Sequence, residues 1–296
     1  KEEAIRYSWE FLTGKDYLAL SPEKIAVSVF AGDSDAPRDD VSANIWKSLG
    51  VSESRIFYLP KKNNWWGPAG TTGPCGPDTE MFIDTGKKAC CADCSPACDC
   101  GKYLEIWNDV FMEYFKTAEG KFIPLQQKNV DTGMGLERTL CILGGVESVY
   151  ETDLFFAALG EISNLSGKSY GEDASVTKAF RIIADHMRTA AFIIGDQKGI
   201  TPSNVDQGYV LRRLIRRAVR YGGQIGLKAG ALSRVALQFT ELYKDVYPEI
   251  YNNREKIENE INKEESRFLN TLKGGLKEFE KVTASLQGGI IDGKTA

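Results

Sequence analysis

The stretch Val130-Asp131-Thr132-Gly133-Met134-Gly135-Leu136-Glu137-Arg138 is the most informative part of the chain. Its pattern predicts a strand ending in an aspartate, then two alternate glycines, then an apolar helix that bears an arginine. The glycines remove side chains where a flat or charged ligand must approach the backbone, and Arg138 can grip a phosphate through two hydrogen bonds. A plain glycine turn with a surface arginine is the alternative, because this spacing alone is weakly specific.

The segment 103–112 upstream reads as a neighbouring strand. Side chains alternate between the two faces of a strand, so Asn108 and Val110 share one face and Asp109 lies on the other. An amide flanked by aliphatic groups can hold a small polar ligand. A buried amide that is satisfied within the sheet is the alternative interpretation.

Residues 63–77 are rich in glycine and proline and are predicted to form a loop with demanding backbone angles. The loop holds the adjacent pair Trp65 and Trp66. We expect one of the two rings to close a pocket, with packing of both rings beneath the loop as the alternative.

The chain changes character at about residue 150. Short β-type runs alternate with turns before that point, whereas apolar residues recur every three or four positions after it. Strands are predicted at 25–30, 55–59, 80–84 and 102–114 and on the approach to Asp131, and helices at 176–194, 209–221, 233–247 and 254–286. A sheet-centred half followed by a helical half is the predicted organisation, and Gly274-Gly275 is expected to weaken the last helix.

The composition excludes several classes of protein. The 296 residues suit roughly two domains, and 37 basic against 41 acidic residues make any nucleic-acid contact a local patch. No apolar run approaches the roughly 18 residues that span a bilayer, so no membrane partner is expected. The odd number of cysteines and their clustering favour reduced thiols in the cytoplasm over a secreted disulfide framework.

Five cysteines crowd into positions 90–100. Four thiolates can bind Zn²⁺ tetrahedrally, which would brace a loop of low apolar content, and free thiols are the alternative. The spacing favours Cys91, Cys94, Cys98 and Cys100 as metal ligands, with Cys90 as an alternative ligand.

The helix at 209–221 has one strongly basic side. A core stripe of leucine, isoleucine, alanine and valine runs along its other side. A solvated face is the commoner outcome for such charge, and RNA binding is the functional alternative. The basic side comprises Arg212, Arg213, Arg216, Arg217 and Arg220.

Several short sequence motifs, in matching order and spacing, resemble those of the alanyl-tRNA synthetases, a family of class II aminoacyl-tRNA synthetases. The resemblance extends over the whole chain. It implies an α+β fold, with a class II antiparallel sheet that lacks motifs 1 and 2, followed by an all-α helical domain. The strings that carry it are 64–66, 72–77, 105–108, 131–138, 183–188 and 208–217.

The resemblance also implies roles for individual residues. Asp131 would pair with the α-ammonium of alanine, Asn108 and Val110 would line the amino-acid pocket, and Trp66 would cover it. Gly133, Gly135 and Arg138 would form motif 3, with Arg138 on the triphosphate of ATP and Mg²⁺ as cofactor. Asn204 matches the family asparagine that reads a G·U wobble pair in the acceptor stem of tRNA(Ala), and the arginine face would contact the same stem.

The resemblance finally implies how the chain is divided. Residues 1–151 would be the later part of the catalytic domain, 152–286 the tRNA-recognition domain and 287–296 the start of a following segment. An internal fragment is therefore expected, with a separate editing domain downstream and doubtful activity in isolation. A non-catalytic RNA-binding relative with the same fold is the rival interpretation.

Overall fold

The computed structural model describes residues 1–284 and 293. Its residues divide into two compact units, Lys1–Val149 and Tyr150–Ala296, each of which is described by itself. The predicted segment 287–296 lies outside the described residues apart from the turn at Gly293.

The first unit combines a sheet with three α-helices among its described residues. Its central strands are long, and they supply the positions predicted to bind ligands. In chain order the elements are α1 (Glu2–Thr13), β1 (Ile25–Phe30), α2 (Asp40–Ser48), β2 (Ile56–Leu59), β3 (Trp65–Trp66), β4 (Gly73–Asp84), β5 (Tyr103–Lys116), β6 (Phe122–Met134) and α3 (Leu136–Leu143).

The sheet has the strand order β2-β1-β4-β5-β6, and β3 pairs with β4 outside that path. All the pairings are antiparallel except that of β1 with β2, and this largely antiparallel sheet, followed by a helical unit, confirms the expected α+β fold. The predicted strands are found, but the prediction of a loop over 63–77 was wrong in part. Strand β3 lies within that range, and β4 already begins at Gly73. A bulge between Cys75 and Asp78 accommodates the glycine and the proline at positions 76 and 77 within this strand.

Helices α1 and α2 cover one face of this sheet. Ile5 and Trp46 pack there against β-strand residues such as Val27 and Met81, and all four are fully buried. The indole N–H of Trp46 donates to Thr79 Oγ1 at 2.9 Å. Because side chains alternate along a strand, the neighbours of Thr79 at positions 78 and 80 point to the opposite face.

The second unit is helical throughout its described elements. Its core is built from apolar side chains of residues 155–261, which bury the inner sides of the longer helices. The last helix runs unbroken through Gly274-Gly275, so the expected weakening does not interrupt it. The helices are α4 (Asp153–Ser166), α5 (Ala174–Gly195), α6 (Asp206–Gln224), α7 (Ala231–Leu242), α8 (Pro248–Asn252) and α9 (Arg254–Ala284).

No helix in the described part of the chain has both the length and the apolar content needed to cross a membrane.

Candidate functional site

Two rows of directly opposed residues cross the sheet on the face away from α1 and α2, which we call the acidic face. Paired residues in a ladder present their side chains on the same side of the sheet. The first row is Ser28, Glu80, Asn108 and Gly133, and the second is Asp78, Val110 and Asp131. The register therefore brings four of the predicted site residues together.

Asp78 and Asn108 are joined by a hydrogen bond on the acidic face. The Asn108 amide nitrogen donates to Asp78 Oδ2 at 3.2 Å, and the Asn64 amide nitrogen donates to Asp78 Oδ1 at 3.0 Å and to Ser28 Oγ at 2.8 Å. Asp78 is 3% exposed, and its burial raises the pKa of the carboxyl to about 6. This buried network fixes the orientation of the Asn108 amide.

Glu80 lies next to Asn108 in the first row. Burial is the main cause that raises the pKa of its carboxyl to about 8, and the negative charges of Asp78 and Glu105 add to the shift. The positive charge of Arg138 opposes it. A carboxyl held neutral near physiological pH, beside further acids and one arginine, is typical of a site that receives a cation or a polar substrate.

Asp131 and Arg138 are exposed, whereas Asp78 is buried and Glu80 is half-buried. Arg138 donates to the Glu105 carboxylate at 2.7 Å and to the Glu105 carbonyl oxygen at 3.2 Å, which places the guanidinium at the edge of the acidic face. Helix α3 begins directly after Gly135, whose N–H donates to Ile106 O at 2.9 Å. The junction between β6 and α3 thus brings the Arg138 side chain into contact with β5.

Glycine at position 133 is not required by the surrounding packing. A Cβ atom added there meets no heavy atom within 4 Å among the described residues, whereas one added at Gly135 would lie 3.3 Å from the Arg138 side chain. The space above Gly133 is therefore open, as expected where a ligand approaches the backbone.

Trp66 and Trp65 have separate surroundings. Trp65 packs against the rings of Phe30 and Tyr114 with centroid distances of 5.3 and 5.5 Å. Trp66 is 40% exposed and lies opposite Gly76 in the β3–β4 ladder, two residues before Asp78. Of the two rings, that of Trp66 is the one available at the surface.

The sequence did not single out Asp78, Glu80 or Thr132 as site residues. Thr132 donates to Asp109 Oδ1 at 2.6 Å on the face beneath α1, and Ser8 of that helix donates to the same carboxylate at 2.8 Å. These bonds fix β6 against β5 between the site positions 131 and 133. The acids at 78 and 80, which alternate with Thr79 and Met81, were the signal that could have revealed the acidic face.

The predicted RNA-binding residues lie in the second unit. Arg212 and Arg216 on α6 contact Glu264 of α9 at 3.2 and 2.7 Å, and this glutamate is 1% exposed. Arg212 also donates a hydrogen bond to the side chain of Asn204, which is exposed. The other three predicted arginines, Arg213, Arg217 and Arg220, are exposed on the same helix.

The five clustered cysteines lie in the loop between β4 and β5. Two groups of three sulfur atoms, each within 4.8 Å of one another, are Cys90, Cys94, Cys100 and Cys90, Cys91, Cys98. The sequence favoured a ligand set without Cys90, whereas Cys90 belongs to both groups.

Comparisons of the chain with known proteins all indicate the same family. The model for tRNA synthetases class II (A) matches residues 1–296. The chain is 47% identical to the alanine–tRNA ligase of Borrelia hermsii over 293 residues, which is 99% of this chain and 49% of the relative. It is 50% identical to that of Treponema pallidum over 289 residues, 97% of this chain and 48% of the relative. The chain thus spans about half the length of these curated relatives.

Proposed function

Because the chain belongs to the class II tRNA synthetase family, we propose that it is part of an alanine–tRNA ligase. The longer protein would activate alanine with ATP to give alanyl-adenylate and pyrophosphate, and would then transfer the alanyl group to the 3′ end of tRNA(Ala). The cross-strand rows that gather Asn108, Val110, Asp131 and Gly133 beside Arg138 are the observation that carries this proposal.

Asp131 is the proposed partner of the alanine ammonium group. Its side chain is exposed and lies opposite Val110, whose small aliphatic side chain suits a methyl group. Within residues 1–284 no donor reaches the buried Oδ1 of Asn108, so that oxygen is an acceptor that an ammonium could satisfy. Trp66, exposed at the surface near Asp78, is proposed to cover the pocket.

The nucleotide is proposed to lie over Gly133 and Gly135, with its triphosphate on Arg138. The open space at Gly133 supports this position. Glu80 and Glu105 are proposed to hold Mg²⁺ through their carboxyl oxygens, and binding of the ion would release the proton of Glu80 and compete with the contact between Glu105 and Arg138. When bound, Mg²⁺ neutralises phosphate charge, while the residues of the chain orient the alanine carboxylate toward the α-phosphorus.

Such a pocket discriminates weakly between similar amino acids. One methylene contributes only about 1–3 kcal/mol to selectivity, so glycine and serine would also enter a pocket shaped for alanine. A separate editing activity elsewhere in the longer protein is therefore part of the proposal.

The acceptor stem of tRNA is the proposed partner of α6. Arg213, Arg217 and Arg220 are exposed and available for phosphates, and Asn204 is exposed beside Arg212 for a contact in the accessible minor groove. Arg212 and Arg216 are proposed to act partly through Glu264, which fixes their side chains. The clustered thiols suit a reducing compartment such as the cytoplasm, which is the proposed location.

The test is alanine-dependent ATP–pyrophosphate exchange, measured on this chain and on a chain extended to the full length of its relatives, with serine and glycine as competitors. In the active form, we expect Asp131→Ala to reduce exchange by at least about 100-fold, since a charged hydrogen bond to the substrate is lost. Glu119→Ala, a change at an exposed acid in the β5–β6 turn, is the matched control. Near-normal exchange by Asp131→Ala with a folded protein would remove the central assignment, and a folded long chain without exchange would favour the RNA-binding relative.

A further inference from the structure

The loop between β4 and β5, residues 85–102, is closed at its base by polar contacts. Thr85 N–H donates to Lys102 O at 2.8 Å, and the Lys102 ammonium contacts Asp84 at 2.9 Å. Between these points most side chains are exposed or half-buried, so no apolar core holds the loop together. Something other than hydrophobic burial must therefore stabilise its fold.

Two pairs of cysteine sulfurs in this loop have the spacing of zinc ligands. Cys90 and Cys91 have a sulfur–sulfur distance of 3.8 Å, and Cys94 and Cys100 one of 3.7 Å. A tetrahedral zinc ion with Zn–S bonds of about 2.3 Å separates its sulfur ligands by about 3.8 Å. The two observed distances match that geometry and are far longer than the roughly 2.05 Å of a disulfide.

Two backbone turns bring these side chains together. Cys94 N–H donates to Cys91 O at 3.3 Å, and Cys98 N–H donates to Ser95 O at 3.0 Å, so the chain reverses twice within eleven residues. Cys94, Cys98 and Cys100 are half-buried, while Cys90 and Cys91 are exposed. Lys102, at the base of the loop, is paired with Asp84 and also has a favourable charge interaction with Cys94.

We propose that the loop binds one Zn²⁺ through Cys90, Cys94 and Cys100, with Cys91 and Cys98 exchanging as the fourth ligand. Cys90 belongs to both sulfur groups, so the proposed site requires it. The sequence spacing had indicated Cys90 only as an alternative ligand. Each thiol releases its proton to solvent when it binds the ion, so the site forms more readily as the pH rises. The ion would brace the connection between the two strands that carry Asp78, Glu80 and Asn108.

The first test is the metal content of the reduced chain after incubation with one equivalent of Zn²⁺ and removal of loosely bound ions. We expect about one zinc per chain, a tetrahedral cobalt–thiolate spectrum after exchange with Co²⁺, and at least a 100-fold weaker affinity in Cys90→Ser. Asp93→Ser, which alters an exposed residue between two of the cysteines, is the matched control and should bind zinc normally. A chain that binds neither ion, or Cys90→Ser with unchanged affinity, would overturn the site.

The second test concerns the fourth ligand. Cys91→Ser and Cys98→Ser should each retain one zinc with an affinity within about tenfold of the original, and the double variant should lose at least 100-fold. A single variant that abolishes binding would overturn the exchange and fix that cysteine as the ligand. Bound iron with acid-labile sulfide in the purified chain would replace the zinc proposal with an iron–sulfur cluster. None of these measurements depends on ligase activity, so they stand apart from the proposed function.

Discussion

Consecutive residues of β6 serve different faces of the sheet. Thr132 bonds to Asp109 beneath α1, while Asp131 and Gly133 on either side of it belong to the rows of the acidic face. The hydrogen bond of Thr132 thus helps to fix the positions of its two neighbours, because adjacent residues of a pleated strand point to opposite faces of the sheet. The geometry of the site depends at this point on a residue that does not face it.

Glu80 should make stability depend on pH. Its pKa is about 8 in the folded chain against 4.5 for an unperturbed glutamate, so the folded state binds its proton more tightly than the unfolded state does. The stabilisation is present below about pH 4.5 and is lost as the pH rises toward 8. We expect a loss of about 3 kcal/mol in the free energy of unfolding between pH 5 and 8, measured in urea with EDTA present.

The variant Glu80→Gln should lose much less stability over the same range. Its remaining decline should come chiefly from Asp78, whose raised pKa lies near 6, with further contributions from Asp109 and Glu265, whose pKa values are also raised by burial. Glu23→Gln, at an exposed acid, serves as the control and should follow the original curve. Parallel curves for Glu80→Gln and the original chain would mean that this carboxyl is ionised in the folded state.

Among the elements, β4 is the one whose observed structure differs most from the prediction made from its sequence. Gly76 lies at its bulge, where an added Cβ would be 1.9 Å from the carbonyl oxygen of Phe111 on β5. The close approach of the two strands therefore requires glycine. Backbone atoms at both sides of the contact leave little room for relaxation.

Gly76→Ala is expected to lower the free energy of unfolding by about 3 kcal/mol through this overlap. Gly70→Ala is the matched control, since a Cβ there meets nothing within 4 Å, and its effect should stay within about 0.5 kcal/mol. Urea unfolding followed by tryptophan fluorescence compares the two. Equal stability of both variants would show that β4 and β5 can separate without cost.

The sequence predicted β1, α5, α6 and α9 well, because buried β-branched runs and three-to-four spacing are local signals. Helix α4 was not predicted, and the helix expected at 233–247 ends at Leu242. It also predicted that Asn108 and Val110 share a face, which the register confirms. It could not predict the start of β4. Residues 73–77 look like a loop in isolation, and the partners of residues 73–75 on β5, Tyr114–Lys116, lie about forty residues away. The acids at 78 and 80 alternate with Thr79 and Met81, which is a local signal, but only the pairing of β4 with β5 shows that they lie beside Val110 and Asn108.

At the scale of the whole molecule, each unit has its own core. The core of the first unit uses residues 5–111 and that of the second uses residues 155–261. All five tryptophans, at positions 9, 46, 65, 66 and 107, belong to the first unit. Tryptophan fluorescence therefore reports on the sheet unit alone, whereas helical circular dichroism reports mainly on the second.

Because the two signals report on different units, thermal unfolding can show which unit holds the proposed zinc site. Removing the ion with a chelator should lower the midpoint seen by fluorescence by several degrees, because ligand binding stabilises only the unit that holds it. The helical signal should change little. Two signals that shift together by the same amount would contradict independent stabilisation of the sheet unit.

The contact of Arg212 and Arg216 with the buried Glu264 has a consequence for counterions. RNA binding releases cations in proportion to the phosphates that the protein neutralises, and Arg212 and Arg216 contribute little to that release because they face the buried Glu264 of α9 and are half-buried, whereas the other three arginines are exposed. The logarithm of tRNA affinity should therefore fall with the logarithm of salt concentration with a slope of about −3 rather than about −5. Arg217→Gln should reduce the slope by about 1, whereas Arg216→Gln should leave it nearly unchanged. Under the proposed function, the five arginines of α6 would divide between stabilising the helical unit and binding the phosphates of a nucleic acid.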